Sequence, residues 1–177
     1  MIDTTRRLLA DDPAPAERLA KRGRGANRVL HGLVEQLRAD PETIGDFVEE
    51  VLRLESPVQG LYRQAAVDTT IGEVAIPAGS SVWLVYAAAN RDEAVIACPH
   101  QLDLAREANA LHLAFGKGPH FCIGAALARL EARIGIEVLI DRLGDLALSD
   151  RNDYRYEPSY VLHGLKELHL QFRARPA

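Results

Sequence analysis

One ten-residue segment constrains this chain more than any other: Phe115-Gly116-Lys117-Gly118-Pro119-His120-Phe121-Cys122-Ile123-Gly124. It sets a cysteine in a glycine-bent loop directly before an apolar run. Ile123, Leu127, Leu130, Ile134 and Val138 recur at helical spacing, which predicts a helix over about 123–142 with those residues on one face. A sulfur at the start of a helix meets the positive end of the helix dipole and fixed backbone N–H groups. Both favour the deprotonated form that binds a metal. The glycines permit backbone angles, and a close approach by a flat ligand, that a Cβ would obstruct.

This is the geometry a cysteinate axial ligand to haem iron requires. The same residues resemble the signature of the cytochrome P450 family, the haem-thiolate monooxygenases. That signature runs Phe, two residues, Gly, any residue, His or Arg, any residue, Cys, any residue, Gly or Ala, and Phe115, Gly118, His120, Cys122 and Gly124 fill it. The resemblance covers roughly residues 41–177 and is to bacterial-type members, whose full chains are more than twice this length. It implies a mainly α fold with small β-sheets (α+β), the C-terminal portion of the P450 fold. It also implies haem b as cofactor, Cys122 as the iron ligand, and Phe115, Gly116, Gly118, His120 and Gly124 as cofactor-binding residues. His120 matches a family position that contacts a haem propionate. Arg63, in a predicted strand, falls where relatives place a propionate-binding arginine; an exposed strand arginine is the plainer reading.

Upstream, Glu50 and Arg53 stand three residues apart on one predicted helix face. Such a pair is commonly solvated and worth a few tenths of a kcal/mol. Here Phe47, Val48, Val51 and Leu52 flank it, so it is expected to be drawn inward. The resemblance makes it the family's Glu-x-x-Arg, locked in relatives by a third, cationic residue before the cysteine loop. That third position falls at Gln101, which brings no charge; His100 is the alternative. Asp3-Thr4-Thr5 resembles the end of the family's acid–alcohol pattern, which makes Asp3 and Thr4 candidates for proton delivery, with a flexible chain start as the alternative.

Residues 1–40 are expected to be an irregular N-terminal segment carrying one helix, from near Asn27 to Asp40. Residues 41–177 form the expected haem-binding half. Pro41 opens a second helix that closes near Ser56-Pro57. β-like runs follow at Leu61 to Val67, Gly72 to Ile76 and Ser80 to Tyr86, the last two joined as a hairpin by Pro77-Ala78-Gly79. Residues 90–114 are expected to be mostly loop, and short strands around Val161 and 168–172 finish the chain.

The 177 residues are 47% apolar and 26% charged with net charge −4, an ordinary globular composition without the basic stripe of a nucleic-acid binder. Two cysteines and no apolar leader point to a reducing cytoplasm. No stretch approaches the roughly 20 apolar residues of a membrane span. Cys98, in a loop before Pro99, is read as structural or merely exposed. The histidines at 100, 112 and 120 do not stand at the paired spacings of structural zinc, and His31, His163 and His169 are read as ordinary. By resemblance the chain uses dioxygen, a small organic substrate and electrons from a ferredoxin or reductase docking near the cysteine side, where Lys117, Arg129 and Arg133 are candidate basic contacts, with solvated helix charges as the other reading. The alternative is a truncated, non-catalytic haem-binding or partner-binding remnant.

Overall fold

The structure, a computed structural model, describes residues 23–106 and 112–176. Asp3 and Thr4 lie outside the described residues. The chain is mixed helix and small sheets, and its contacts divide it into two units. Among the described residues, 23–44, 134–157 and 164–176 make one; 45–106, 112–133 and 158–163 make the other.

The first unit is built on α1 (Gly23–Ala39) and an antiparallel pair, β5 (Leu143–Leu148) and β6 (Leu170–Ala174), with a bulge between Gly144 and Ala147. Val34, Leu37, Ile44, Ile140 and Leu146 form its apolar core. α1 begins at Gly23, four residues before the expected start. Asn27 is no cap: its Oδ1 accepts the Leu148 N–H at 2.7 Å, so a tertiary contact holds a glycine-bearing first turn helical. Arg38 donates to the Ile140 carbonyl (3.0 and 2.8 Å) and the Leu143 carbonyl (2.6 Å). The Ile140 carbonyl is one that a helix C-terminus leaves unpaired.

The second unit contains nearly all of α2 (Ile44–Glu55), which follows a single 3₁₀ turn at Pro41–Thr43. Ser56, at φ 40°, ends it. β1 (Leu61–Gln64) pairs antiparallel with β4 (Ser81–Leu84), and β2 (Thr69–Ile71) with β3 (Val74–Ile76). The expected hairpin about Pro77–Gly79 is therefore not formed. Ile71 pairs Val74 across a two-residue turn in which Gly72 takes φ 59°. The Pro77–Gly79 segment is stitched back instead: Gly79 N–H donates to the Ala65 carbonyl and Ala78 N–H to Asp68 Oδ1, both at 2.7 Å. Tyr86 leaves the sheet to open a short helix, α3 (Tyr86–Ala89), where a strand end was expected. Near Val161 there is only an isolated bridge, Val58 to Leu162.

The helix after the cysteine, α4, runs Ala125–Arg142. The apolar face read from the sequence is exposed: Ile123 just before it, and Leu127, Leu130, Ile134 and Val138 along it, all face solvent. Ala125 and Ile140 are buried instead. No helix among the described residues is long and apolar enough to cross a membrane.

Candidate functional site

α2 carries two neighbouring carboxylates that point into different networks. Glu50 and Arg53 are fully buried, and Arg53 grips Glu50 with two bonds, Nε to Oε1 at 2.7 Å and Nη2 to Oε2 at 3.0 Å. Arg53 Nη1 also donates to the Asn90 and Pro99 carbonyls, and Nη2 to the Gln101 carbonyl. Asp103 N–H donates to Glu50 Oε2. Burial alone would raise the Glu50 carboxyl, but the Arg53 and Asp103 hydrogen bonds and the Arg53 and Arg106 charges hold it below the ordinary glutamate value.

The third cation expected here is neither Gln101 nor His100. Gln101 enters through its backbone carbonyl, and both residues are exposed. Arg106 Nε reaches Glu50 Oε1 at 3.1 Å while Nη1 binds the Ala97 carbonyl at 2.6 Å. Five residues past the expected position, Arg106 supplies the charge because the intervening loop folds back over Glu50.

The second network joins Glu49 to the cysteine loop. Arg129 of α4 donates to both Glu49 oxygens, at 2.6 and 2.9 Å, and its guanidinium carbon lies 4.6 Å from the centre of the Phe115 ring. His112 Nε2 meets Glu49 Oε2 at 2.9 Å. Ala114 N–H can only donate, so His112 Nδ1 accepts from it (3.1 Å) and Nε2 carries the proton to Glu49. Burial, then the nearby arginines, lower the His112 pKa against the pull of Glu49. Burial opposes ionisation of Glu49, but the Arg129 and His112 bonds lower its pKa overall. The Glu49 bond raises that of Arg129. Glu49 was not singled out in the sequence, and His112 was weighed only as a zinc ligand. Their signal was a second carboxylate beside Glu50 on a helix with apolar flanks, and a histidine three residues before Phe115.

Gly116 and Gly118 take φ 72° and 74°, left-handed angles that let the loop turn before the single 3₁₀ turn at Gly118–His120. The loop closes where Cys122 N–H donates to the Phe115 carbonyl at 2.9 Å, and the Cys122 carbonyl accepts the first N–H of α4, from Ala125. A Cβ at Gly124 would stand 3.8 Å from the Cys122 sulfur, an ordinary contact, so alanine fits there too. Cys122 is exposed and borders a cavity of about 330 Å³ with Leu52, Val58, Leu61, Phe115 and His120. A second cavity of about 390 Å³, sharing Tyr86 and His120 with the first, is bordered by Arg63 and Lys117. Arg63 Nη1 donates to the adjacent Tyr62 carbonyl at 2.9 Å. An apolar recess beside a thiol, adjoining one that gathers three basic side chains, fits a flat apolar macrocycle bearing carboxylates.

Cys98, also exposed, borders neither cavity. Of the three basic residues expected to meet a redox partner, Arg133 is exposed on α4, Lys117 borders the second cavity, and Arg129 is committed to Glu49 and Phe115. Among the described residues no three His, Cys, Asp or Glu side chains are grouped as metal ligands.

The family model described as Cytochrome P450 matches residues 37–151. Cytochrome P450 144 of Mycobacterium tuberculosis is 43% identical over 136 residues, 77% of this chain and 31% of its own length. The biotin biosynthesis cytochrome P450 of Bacillus subtilis is 44% identical over 137 residues, 77% of this chain and 34% of its own. Substrate-free cytochrome P450 CYP150A6 of Mycobacterium marinum superposes with a TM-score of 0.81 at 40% identity, covering 85% of this chain and 40% of that one. The chain thus spans about a third of the length of the curated relatives it matches.

Proposed function

The chain belongs to the cytochrome P450 family, whose members bind haem b, and from that premise we propose that residues 41–177 hold haem b with Cys122 as the axial ligand. The observation that carries this reading is the exposed Cys122 sulfur, at the edge of an apolar cavity, held by its own N–H to the Phe115 carbonyl at the head of α4. His120 and Arg63, from the adjoining cavity, neutralise the propionates. The buried Glu50–Arg53–Arg106 network holds the preceding loop in place.

When bound, haem supplies the chemistry: one atom of dioxygen enters a C–H bond of a small organic substrate, and the other leaves as water after uptake of two electrons and two protons. A ferredoxin or reductase delivers the electrons, docking on the cysteine side near Arg133. Asp3 and Thr4 are candidates for proton delivery.

A second reading is a haem binder without turnover; the chain spans about a third of the relatives' length. The two separate in one experiment. The purified chain is loaded with haem and supplied with a ferredoxin, its reductase, NADPH and isotope-labelled dioxygen over a panel of apolar substrates. The monooxygenase reading predicts product carrying one labelled oxygen. Haem uptake without labelled product leaves the second reading, and no uptake contradicts both.

A further inference from the structure

We propose that Glu49, His112 and Arg129 are positioning residues for the cysteine ligand, acting together as a clamp on Phe115 that sets the direction of the Cys122 sulfur. All three lie outside the signature segment and touch neither cavity described above.

The clamp follows from the contacts. Arg129 stands one helical turn into α4, and long helical side chains lean toward the helix N-terminus. Its guanidinium therefore lies back over the loop that delivers Cys122, 4.6 Å from the Phe115 ring centre. A free arginine side chain has many rotamers. Glu49 removes that freedom with two parallel N–H···O bonds, a fork geometry that fixes orientation as well as distance. His112 takes the same carboxylate at 2.9 Å, and its ring sits 6.0 Å from that of Phe115, which also meets the edge of Phe121 at 6.4 Å. Phe115 is thus held by Arg129, His112 and Phe121.

What the ring does, its backbone must follow. The Phe115 carbonyl accepts the Cys122 N–H at 2.9 Å, closing the loop across seven residues. His112 is tied twice, through Nε2 to Glu49 and through Nδ1 to the Ala114 N–H, so the strand of loop entering Phe115 is anchored to α2. Three contacts link Glu49 to the cysteine amide by way of Arg129 and Phe115: the ion pair, the cation–π contact and the backbone hydrogen bond. Glu50, its neighbour, holds the other loop, and the two sets meet at Asn90, whose carbonyl accepts from Arg53 and whose Oδ1 accepts the Leu113 N–H.

The test reads the amides first. In the purified chain, hydrogen exchange at the Cys122 amide is compared with that at Asp103, whose N–H is bound to Glu50. Arg129→Gln and Glu49→Gln are expected to speed exchange at Cys122 about tenfold or more while Asp103 is unchanged. Arg129→Lys, keeping the charge but not the fork, is expected to fall between, and is read alone should Arg129→Gln fail to fold. Unchanged exchange at Cys122, or equal acceleration at both amides, overturns the clamp.

A second arm rests on the haem-thiolate reading. In haem-loaded protein, Arg129→Gln is expected to shift part of the ferrous carbon-monoxide Soret band away from the thiolate position, and Arg129→Lys to restore part of it. An unmoved band in Arg129→Gln overturns the positioning role. Should the unsubstituted chain take up no haem, the haem reading fails, and the amide comparison still decides the clamp.

Discussion

Glu49 and Glu50 are consecutive residues with consecutive carboxylates, yet they are bound by different cations. Glu50 is completely buried, and such a carboxylate persists only where every oxygen is answered. Arg53, Arg106 and the Asp103 N–H answer it. Arg106→Gln, which leaves Glu50 one cation short, is expected to cost about 2 kcal/mol in urea unfolding. Gln101→Arg is expected to change stability by less than about 0.5 kcal/mol, since its side chain is exposed and Arg106 already occupies the carboxylate. A gain above about 1 kcal/mol from Gln101→Arg would show that the third position had been misplaced. The Glu50–Arg53 pair was legible in the sequence because three-residue spacing among apolar neighbours marks an inward pair. Arg106 was not, since which residue of an irregular loop returns to a helix depends on the loop's path, and no spacing rule encodes that.

At the level of elements, α2 is the shared support, and it makes both networks sensitive to acid. Glu49 and Glu50 are lowered from the ordinary value of 4.5, and His112, facing Glu49, Arg129 and Arg53, is lowered from 6.5. In each case the unfolded chain binds protons more readily than the folded one, so stability falls with falling pH. The His112 contribution is complete above pH 6.5 and is lost below it; the glutamate contributions are complete above pH 4.5 and are lost as pH falls through the lowered values. Thermal midpoints measured across pH are expected to begin falling near the histidine value and to steepen below the glutamate one. His112→Gln should flatten the upper part, and the lower part should persist because Arg129 still holds Glu49 and Arg53 still holds Glu50. A midpoint constant from neutral pH to the glutamate range in the unsubstituted chain would contradict this. Elements themselves were legible where side-chain period decides them, as in α1, α2 and α4. Pairing was less so: the Pro77–Gly79 turn has hairpin chemistry, but Asp68 and Ala65 capture its amides, and β4 is left to pair with β1.

At the scale of the molecule, the described residues leave a stripe of apolar side chains exposed along α4. α4 has apolar residues on two sides, Ala125 and Ile140 inside and Leu127, Leu130, Ile134 and Val138 outside. An apolar stripe of that width is ordinarily laid against another element. The period of that stripe was plain in the sequence, but not which side turns to solvent, because period alone fixes a face and not what lies against it. The chain also spans about a third of the relatives it matches. The ligand assignment rests on the Cys122 sulfur. Purified chain is titrated with haem, reduced and exposed to carbon monoxide, alongside Cys122→Ala and Cys98→Ala. The expected result is a thiolate-type Soret band in the unsubstituted chain and in Cys98→Ala, absent in Cys122→Ala. A band that survives loss of Cys122, or vanishes with Cys98, would contradict the assignment of the ligand.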